Sequence, residues 1–127
     1  LQPTCPVRDY KKILSGIKIL KNKKYNSVLS VSDVEGNHPY RMKILKNNLC
    51  KNFMNFKTEN MIPRQKLPKI YIRSGSFYII ERNYFLKNNS LVGNRCYGFK
   101  IEGLEATNID TKKDLEFFKF LSNKKKR

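Results

Sequence analysis

Acidic side chains are scarce in this sequence: Asp and Glu number 10 against 27 Lys and Arg, a formal charge of +17. There is one histidine, His38, and three cysteines, Cys5, Cys50 and Cys96, widely spaced and with no C-x-x-C pair. That spacing speaks against a zinc site. An odd number of isolated thiols fits a reducing, cytoplasmic compartment better than a disulfide framework. No apolar run approaches the roughly 18–20 residues that cross a bilayer, so no membrane span is expected. Internal repeats and low-complexity linkers are missing too, which excludes a solenoid or a linker-joined array.

The excess of positive charge admits two readings. One is a polyanionic partner, a nucleic acid or a membrane surface. The other is codon bias in an AT-rich genome, because 20 of the 27 basic residues are Lys and Asn occurs 14 times. The bases are scattered over helix faces and turns, with no RNP-like or zinc-finger signature. The second reading is preferred and no specific nucleic acid is expected, but a basic nucleic-acid-binding module stays as the alternative function. The closing run Lys124–Arg127 reads as a solvated, frayed end.

At 127 residues the chain is one domain's worth. Ile13, Leu14, Ile17 and Leu20 recur at helical spacing from Asp9 to Lys21, with Asp9 placed as N-cap. Ser27–Val34 is short and β-branched, a core strand. Glu35–Pro39 is turn chemistry, and Tyr40–Leu45 resumes an extended pattern. Asn47–Gln65 is polar and Asn-rich, an excursion of the kind that packs on something else. Ile70–Ile72 and Phe77–Ile80 read as strands hinged at Ser74-Gly75-Ser76. Arg82–Lys87 reads as a short helix, Cys96–Glu102 as a half-exposed strand and Thr111–Leu121 as a closing helix. Strand–helix–strand alternation points to an α/β fold.

Leu1–Arg8, an apolar residue running into a Pro-punctuated turn before a helix, reads as the end of a buried strand with its active-site loop. LQPTCPVR resembles the LQPTSPLR segment of the acylneuraminate cytidylyltransferases, the enzymes that make CMP-sialic acid and its bacterial relatives. HPYR at His38–Arg41, RQKLPKIYIRSGSFYI at Arg64–Ile79 and NIDTKKDL at Asn108–Leu115 follow in that family's order. Four segments in order, from Leu1 to about Leu121, carry the resemblance. The family's N-terminal Gly-, Ser- and Lys-bearing nucleotide loop has no counterpart in these residues. The resemblance therefore implies the C-terminal portion of one domain, a three-layer, Rossmann-like mononucleotide-binding sheet truncated at its N-terminal side. Such a portion is expected to be inactive alone, and a truncated, inactive product is a further alternative.

The reaction implied is attack by the anomeric hydroxyl of a nine-carbon 2-keto acid sugar on the α-phosphate of CTP, with pyrophosphate leaving. Such a transfer needs an aligned nucleophile, neutralised phosphate charge and a bridging Mg2+ held by hard oxygens. The resemblance assigns Asp110 to that metal, as the second acid of a motif usually read DID. Asn108 replaces the first acid, and its amide oxygen could still ligate, or Asp110 could hold the ion alone. Asn108–Thr111 also fits a plain helix N-cap. Gln2 is implied to hydrogen-bond the sugar, with Thr4 in the same loop, where both also fit a turn. Cys5 stands where the family commonly has Ser, and with His38 as the lone histidine covalent catalysis is not expected. Arg41 and Arg64 are candidates for the sugar carboxylate, and the resemblance implies that both come from a dimerisation arm, around residues 38–69, reaching across to the partner's site in a homodimer. Tyr78 resembles a site-lining tyrosine and equally fits an inward core aromatic.

Overall fold

The structure is a computed structural model and describes residues 1–54 and 62–124. Residues 55–61 of the expected arm and Lys125–Arg127 of the basic run lie outside the described residues. The chain divides into two compact units, one of residues 1–32 and 73–127, the other Asp33–Ile72.

Helix α1 (Tyr10–Lys21) opens the first unit where the sequence places it, with Asp9 Oδ1 accepting the Lys11 N–H at 2.8 Å. This N-cap satisfies a backbone donor that the first turn leaves without a partner. The buried face differs from the expected stripe. Ile13, Ile19 and Leu20 pack on the core, whereas Leu14 is half exposed and Ile17 lies at the rim. Gly16 is the reason, because a Cβ there would sit 2.7 Å from Ile79 Cδ1 and 3.6 Å from Val28 Cγ1. A bare backbone at Gly16 lets the helix lie close on the sheet.

That sheet has the order β4 (Tyr71–Ile80), β1 (Ser27–Asp33), β5 (Cys96–Lys100). β1 and β5 are parallel, with Ser27 opposite Cys96 and Val31 opposite Lys100. β4 runs the other way, because its Phe77 bonds Ser30 and the residue just after it, Glu81, donates its N–H to the Asn26 carbonyl. The sheet is therefore mixed. Val28, Phe77 and Ile101 form the buried centre, flanked by Ile79, Tyr97, Phe99 and Ala106. Fully burying a side chain such as Val28, Phe77 or Ile101 contributes roughly 1.5–3 kcal/mol.

Ser74-Gly75-Ser76 is not a break between two strands, as the sequence reading has it. β4 is continuous through Gly75, whose φ of +78° is a left-handed excursion open to glycine. The strand holds because Ser30 Oγ donates to the Phe77 carbonyl at 3.1 Å and accepts from Phe77 N at 3.0 Å and Ser74 Oγ at 2.8 Å. These buried hydroxyls replace ladder bonds that the kink would lose.

Helix α2 (Arg82–Asn88) ends on Asn89 in the left-handed region. The following loop is clamped by buried Asn26, which donates to Asn94 Oδ1 at 2.6 Å and accepts from Arg95 N at 3.1 Å. Helix α3 (Lys112–Lys124) starts with a reciprocal cap: Asp114 Oδ2 accepts from Thr111 N at 2.7 Å, and Thr111 Oγ1 accepts from Asp114 N at 3.2 Å. Among the described residues no helix is long and apolar enough to cross a membrane.

The second unit carries a hairpin of β2 (Lys43–Lys46) and β3 (Leu49–Asn52), antiparallel, with Lys43 opposite Asn52. Its two-residue turn, Asn47-Asn48, has φ of +49° and +63°, the pairing that asparagine tolerates best after glycine. The expected extended start at Tyr40 is corrected: Pro39–Arg41 is a turn of 3-10 helix, and the strand begins at Lys43. His38 caps that turn, its Nδ1 accepting from Tyr40 N at 3.1 Å and its Nε2 facing the Pro68 carbonyl at 3.1 Å.

Candidate functional site

The loop of residues 1–8, the kinked part of β4 and the segment before α3 come together beside the carboxyl-terminal half of β1. Thr4 ties two of them, its carbonyl accepting from Ile109 N at 2.9 Å, and Gln2 turns the loop by accepting Cys5 N at 3.2 Å. Arg8 Nη2 also donates to the Gln2 carbonyl. The Gln2 side chain lies over Gly75, where a Cβ would come within 2.0 Å of its Oε1. The left-handed glycine is thus the floor on which the Gln2 amide rests.

Cys5 is the fully buried pivot of this assembly. Its Sγ is 3.1 Å from the Ser74 carbonyl and 3.4 Å from Asn108 Oδ1. Burial pushes the thiol pKa up, while the Arg8 guanidinium pulls it down less strongly. Cys5 is therefore a protonated hydrogen-bonding group and not a ready nucleophile. Asn108 Nδ2 in turn donates to Asp110 Oδ2. Asp110 is exposed, and its backbone N–H goes to Asp114 Oδ2 at 3.1 Å. Helix capping at Thr111 is carried by Asp114, which leaves the Asp110 carboxylate out of the cap. Among the described residues, no group of three or more His, Cys, Asp or Glu is gathered to hold a metal.

Of the candidates read from the sequence, Gln2, Thr4, Asn108 and Asp110 share this one neighbourhood. Tyr78 is on β4, half-buried, on the opposite strand face from Phe77 and Ile79. Its hydroxyl is buried without a hydrogen-bond partner among the described residues, and the Arg73 guanidinium is 5.9 Å from its ring centroid. Arg41 and Arg64 belong to the second unit. Arg41 Nη2 donates to the Ile62 carbonyl at 3.4 Å, and Arg64 pairs with Asp33 at 3.8 Å with both side chains more than half exposed. An exposed pair of that length contributes little to stability.

Arg8, Ser74 and the thiol of Cys5 carry no site role in the sequence reading, yet they hold the loop. Arg8 Nε is buried and has no hydrogen-bond partner among the described residues. Its signal was its place at the end of LQPTCPVR. The contact of Cys5 with Asn108 spans 103 residues of chain and has no local signature.

No protein-family profile matches the chain. It is similar to CMP-N,N'-diacetyllegionaminic acid synthase of Campylobacter jejuni, 35% identical over 65 residues, which are 51% of this chain and 28% of that protein. It is also similar to post-translational flagellin modification protein B of Campylobacter coli, 32% identical over 69 residues, 54% of this chain and 29% of that one. The matches thus cover less than a third of the length of these curated relatives. Over about half of its length, the chain has a cytidylyltransferase-like relationship.

Proposed function

We propose that this chain belongs to a cytidylyltransferase that moves CMP from CTP to the anomeric hydroxyl of a nine-carbon nonulosonic acid and releases pyrophosphate. The observation that supports it most is the gathering of Gln2, Thr4 and Asp110, from loops at the two ends of the chain, beside one sheet end. The likeness to a CMP-sugar synthase gives that gathering its chemistry.

In this reading the Gln2 amide, seated on Gly75, hydrogen-bonds the acceptor sugar and aligns its hydroxyl. Pre-set alignment of two reactants removes much of the entropic cost of bringing them together. Arg8 holds the Gln2 carbonyl and so keeps the loop in shape. The residues fit Mg2+ in one way only. Asp110 Oδ1 has no hydrogen-bond partner among the described residues and is a hard oxygen, whereas Asn108 turns its amide nitrogen toward the carboxylate. Asp110 would therefore hold the ion alone, with waters and phosphate oxygens completing the shell, as is usual for Mg2+. When bound, the ion neutralises triphosphate charge. Arg41 and Arg64 are assigned to the sugar carboxylate of the partner's site in a homodimer, and Tyr78 to the lining of the site.

The test is direct. The full-length protein is incubated with CTP, Mg2+ and a panel of nonulosonic acids, and phosphorus NMR follows product. A CMP-sugar and pyrophosphate in equal amounts are expected with at least one acceptor. No product with any of them, from folded protein, would sink the reading.

A further inference from the structure

An amide presents donors at one end and an acceptor at the other, and an ionised carboxylate only accepts. With Asp110 Oδ2 in hydrogen-bond reach, the amide of Asn108 must therefore point Nδ2 toward it, as it does. Oδ1 is left facing back into the protein, 3.4 Å from Cys5 Sγ. The Ser74 carbonyl at 3.1 Å is a second acceptor beside that sulfur, and the Thr4 side chain hydrogen-bonds it as well. A thiol has one proton to share between these two acceptors and a thiolate has none, so only a group that donates could replace it. The result is a line from β4 through a buried side chain and an amide to an exposed carboxylate.

We propose that Asn108 is a positioning residue for the Asp110 carboxylate, and that Cys5 locks the orientation of its amide. The proposal rests on the reading of Asp110 as the group that meets a divalent cation. An acid at position 108 would bring two carboxylates together, and they would repel until a cation or a shared proton came between them. The amide instead closes the pair with a charge-assisted hydrogen bond. Asp110 Oδ2 is tethered before any cation arrives, and Oδ1 is left without a hydrogen-bond partner among the described residues. The site gives up one unit of negative charge and gains a fixed geometry. Cys5 and Asn108 are thus one device, with the thiol anchoring to the sheet the amide that anchors the carboxylate.

The decisive measurements need no turnover. In the metal-free, isotope-labelled full-length protein, the Asn108 side-chain NH2 signals should be shifted from the free-amide range, and Asp110→Ala should return them to it. Mn2+ affinity, read by electron paramagnetic resonance, should weaken about tenfold in Asn108→Ala, the usual scale for losing a partner of a metal ligand. Cys5→Ser keeps a donor and should stay close to wild type, whereas Cys5→Ala should broaden the Asn108 signals and weaken Mn2+. Asn108→Asp should bind Mn2+ more tightly through its added charge. Free-amide signals for Asn108 in the wild type, or unchanged Mn2+ affinity in Asn108→Ala, would overturn the proposal. If the protein makes no CMP-sugar, the functional reading fails while the amide signals still decide this one.

Discussion

Gly75→Ala tests whether the kinked strand serves stability or the loop above it. Two costs arise at that position. The backbone has φ of +78°, and an L side chain in the left-handed region costs roughly 1–2 kcal/mol. The new Cβ would also stand 2.0 Å from Gln2 Oε1, far inside any real contact. The obstacle is the end of a half-exposed, flexible side chain, so it yields by moving rather than by straining the sheet. Gly103 separates the two terms, since its φ is +61° and nothing lies within 4 Å of its Cβ position. Urea unfolding should therefore show Gly75→Ala and Gly103→Ala losing similar stability, about 1–2 kcal/mol each. The acceptor-sugar KM should rise in Gly75→Ala alone, with the CTP KM unmoved. A stability loss in Gly75→Ala several kcal/mol beyond that of Gly103→Ala would mean that Gln2 does not give way. An unchanged sugar KM would refute the idea that the glycine seats a substrate-binding amide.

Asp110→Ala should cut cytidylyl transfer by orders of magnitude while circular dichroism and unfolding stay as in the wild type; normal turnover would remove the metal assignment. Mixing Arg64→Ala subunits with Asp110→Ala subunits should restore activity above either parent, and no recovery despite proven subunit exchange would place Arg64 outside the partner's site. Asn26→Ala strips the acceptor from Arg95 N and the donor from Asn94 in a buried setting, so about 1–3 kcal/mol of stability should be lost, with local hydrogen exchange rising in residues 89–95; wild-type protection there would show that the loop holds by other means. The Thr111 hydroxyl, then the Thr111 N–H, lower the Asp114 pKa, so its contribution to stability is full above the ordinary Asp value and fades as pH falls through the lowered one. The difference in urea midpoint between wild type and Asp114→Asn should therefore shrink on acidification below the ordinary Asp range, and a constant difference would contradict it.

What the sequence discloses here is mainly what short spacing encodes. Asp9 before an apolar period marks the start of α1, and Ser27–Asp33 declares itself through Val28, Leu29 and Val31. The loop carrying Gln2 and Thr4 and the segment carrying Asp110 stand out through the motifs around them. Three features stay hidden, two of them because their cause lies far along the chain. Gly75 looks like a hinge in one dimension, and only the seryl network from Ser30 shows why the strand continues through it. The Asn47-Asn48 turn is lost inside an Asn-rich stretch, where the residue that marks it is also the background. Gly16 lies between apolar residues of α1, and only the close approach of Ile79 reveals that the helix turns its bare side inward.

Among the described residues, five other than glycine hold a positive φ, and three of them are asparagines, at positions 47, 48 and 89. Glycine is the easier occupant of such positions, and asparagine is among the few side chains that tolerate them. Glycine codons are rich in G and C, whereas asparagine codons are rich in A and T. A mutational drift toward A and T can therefore empty tight turns of glycine without abolishing them, because the residue it delivers is one the left-handed conformation accepts. Gly75 is beyond the reach of that drift. There the backbone angle would tolerate asparagine, but the Gln2 amide occupies the place where any Cβ would have to stand. Among related chains under the same drift, turn glycines should be exchangeable for asparagine, while the glycine under the loop should not be.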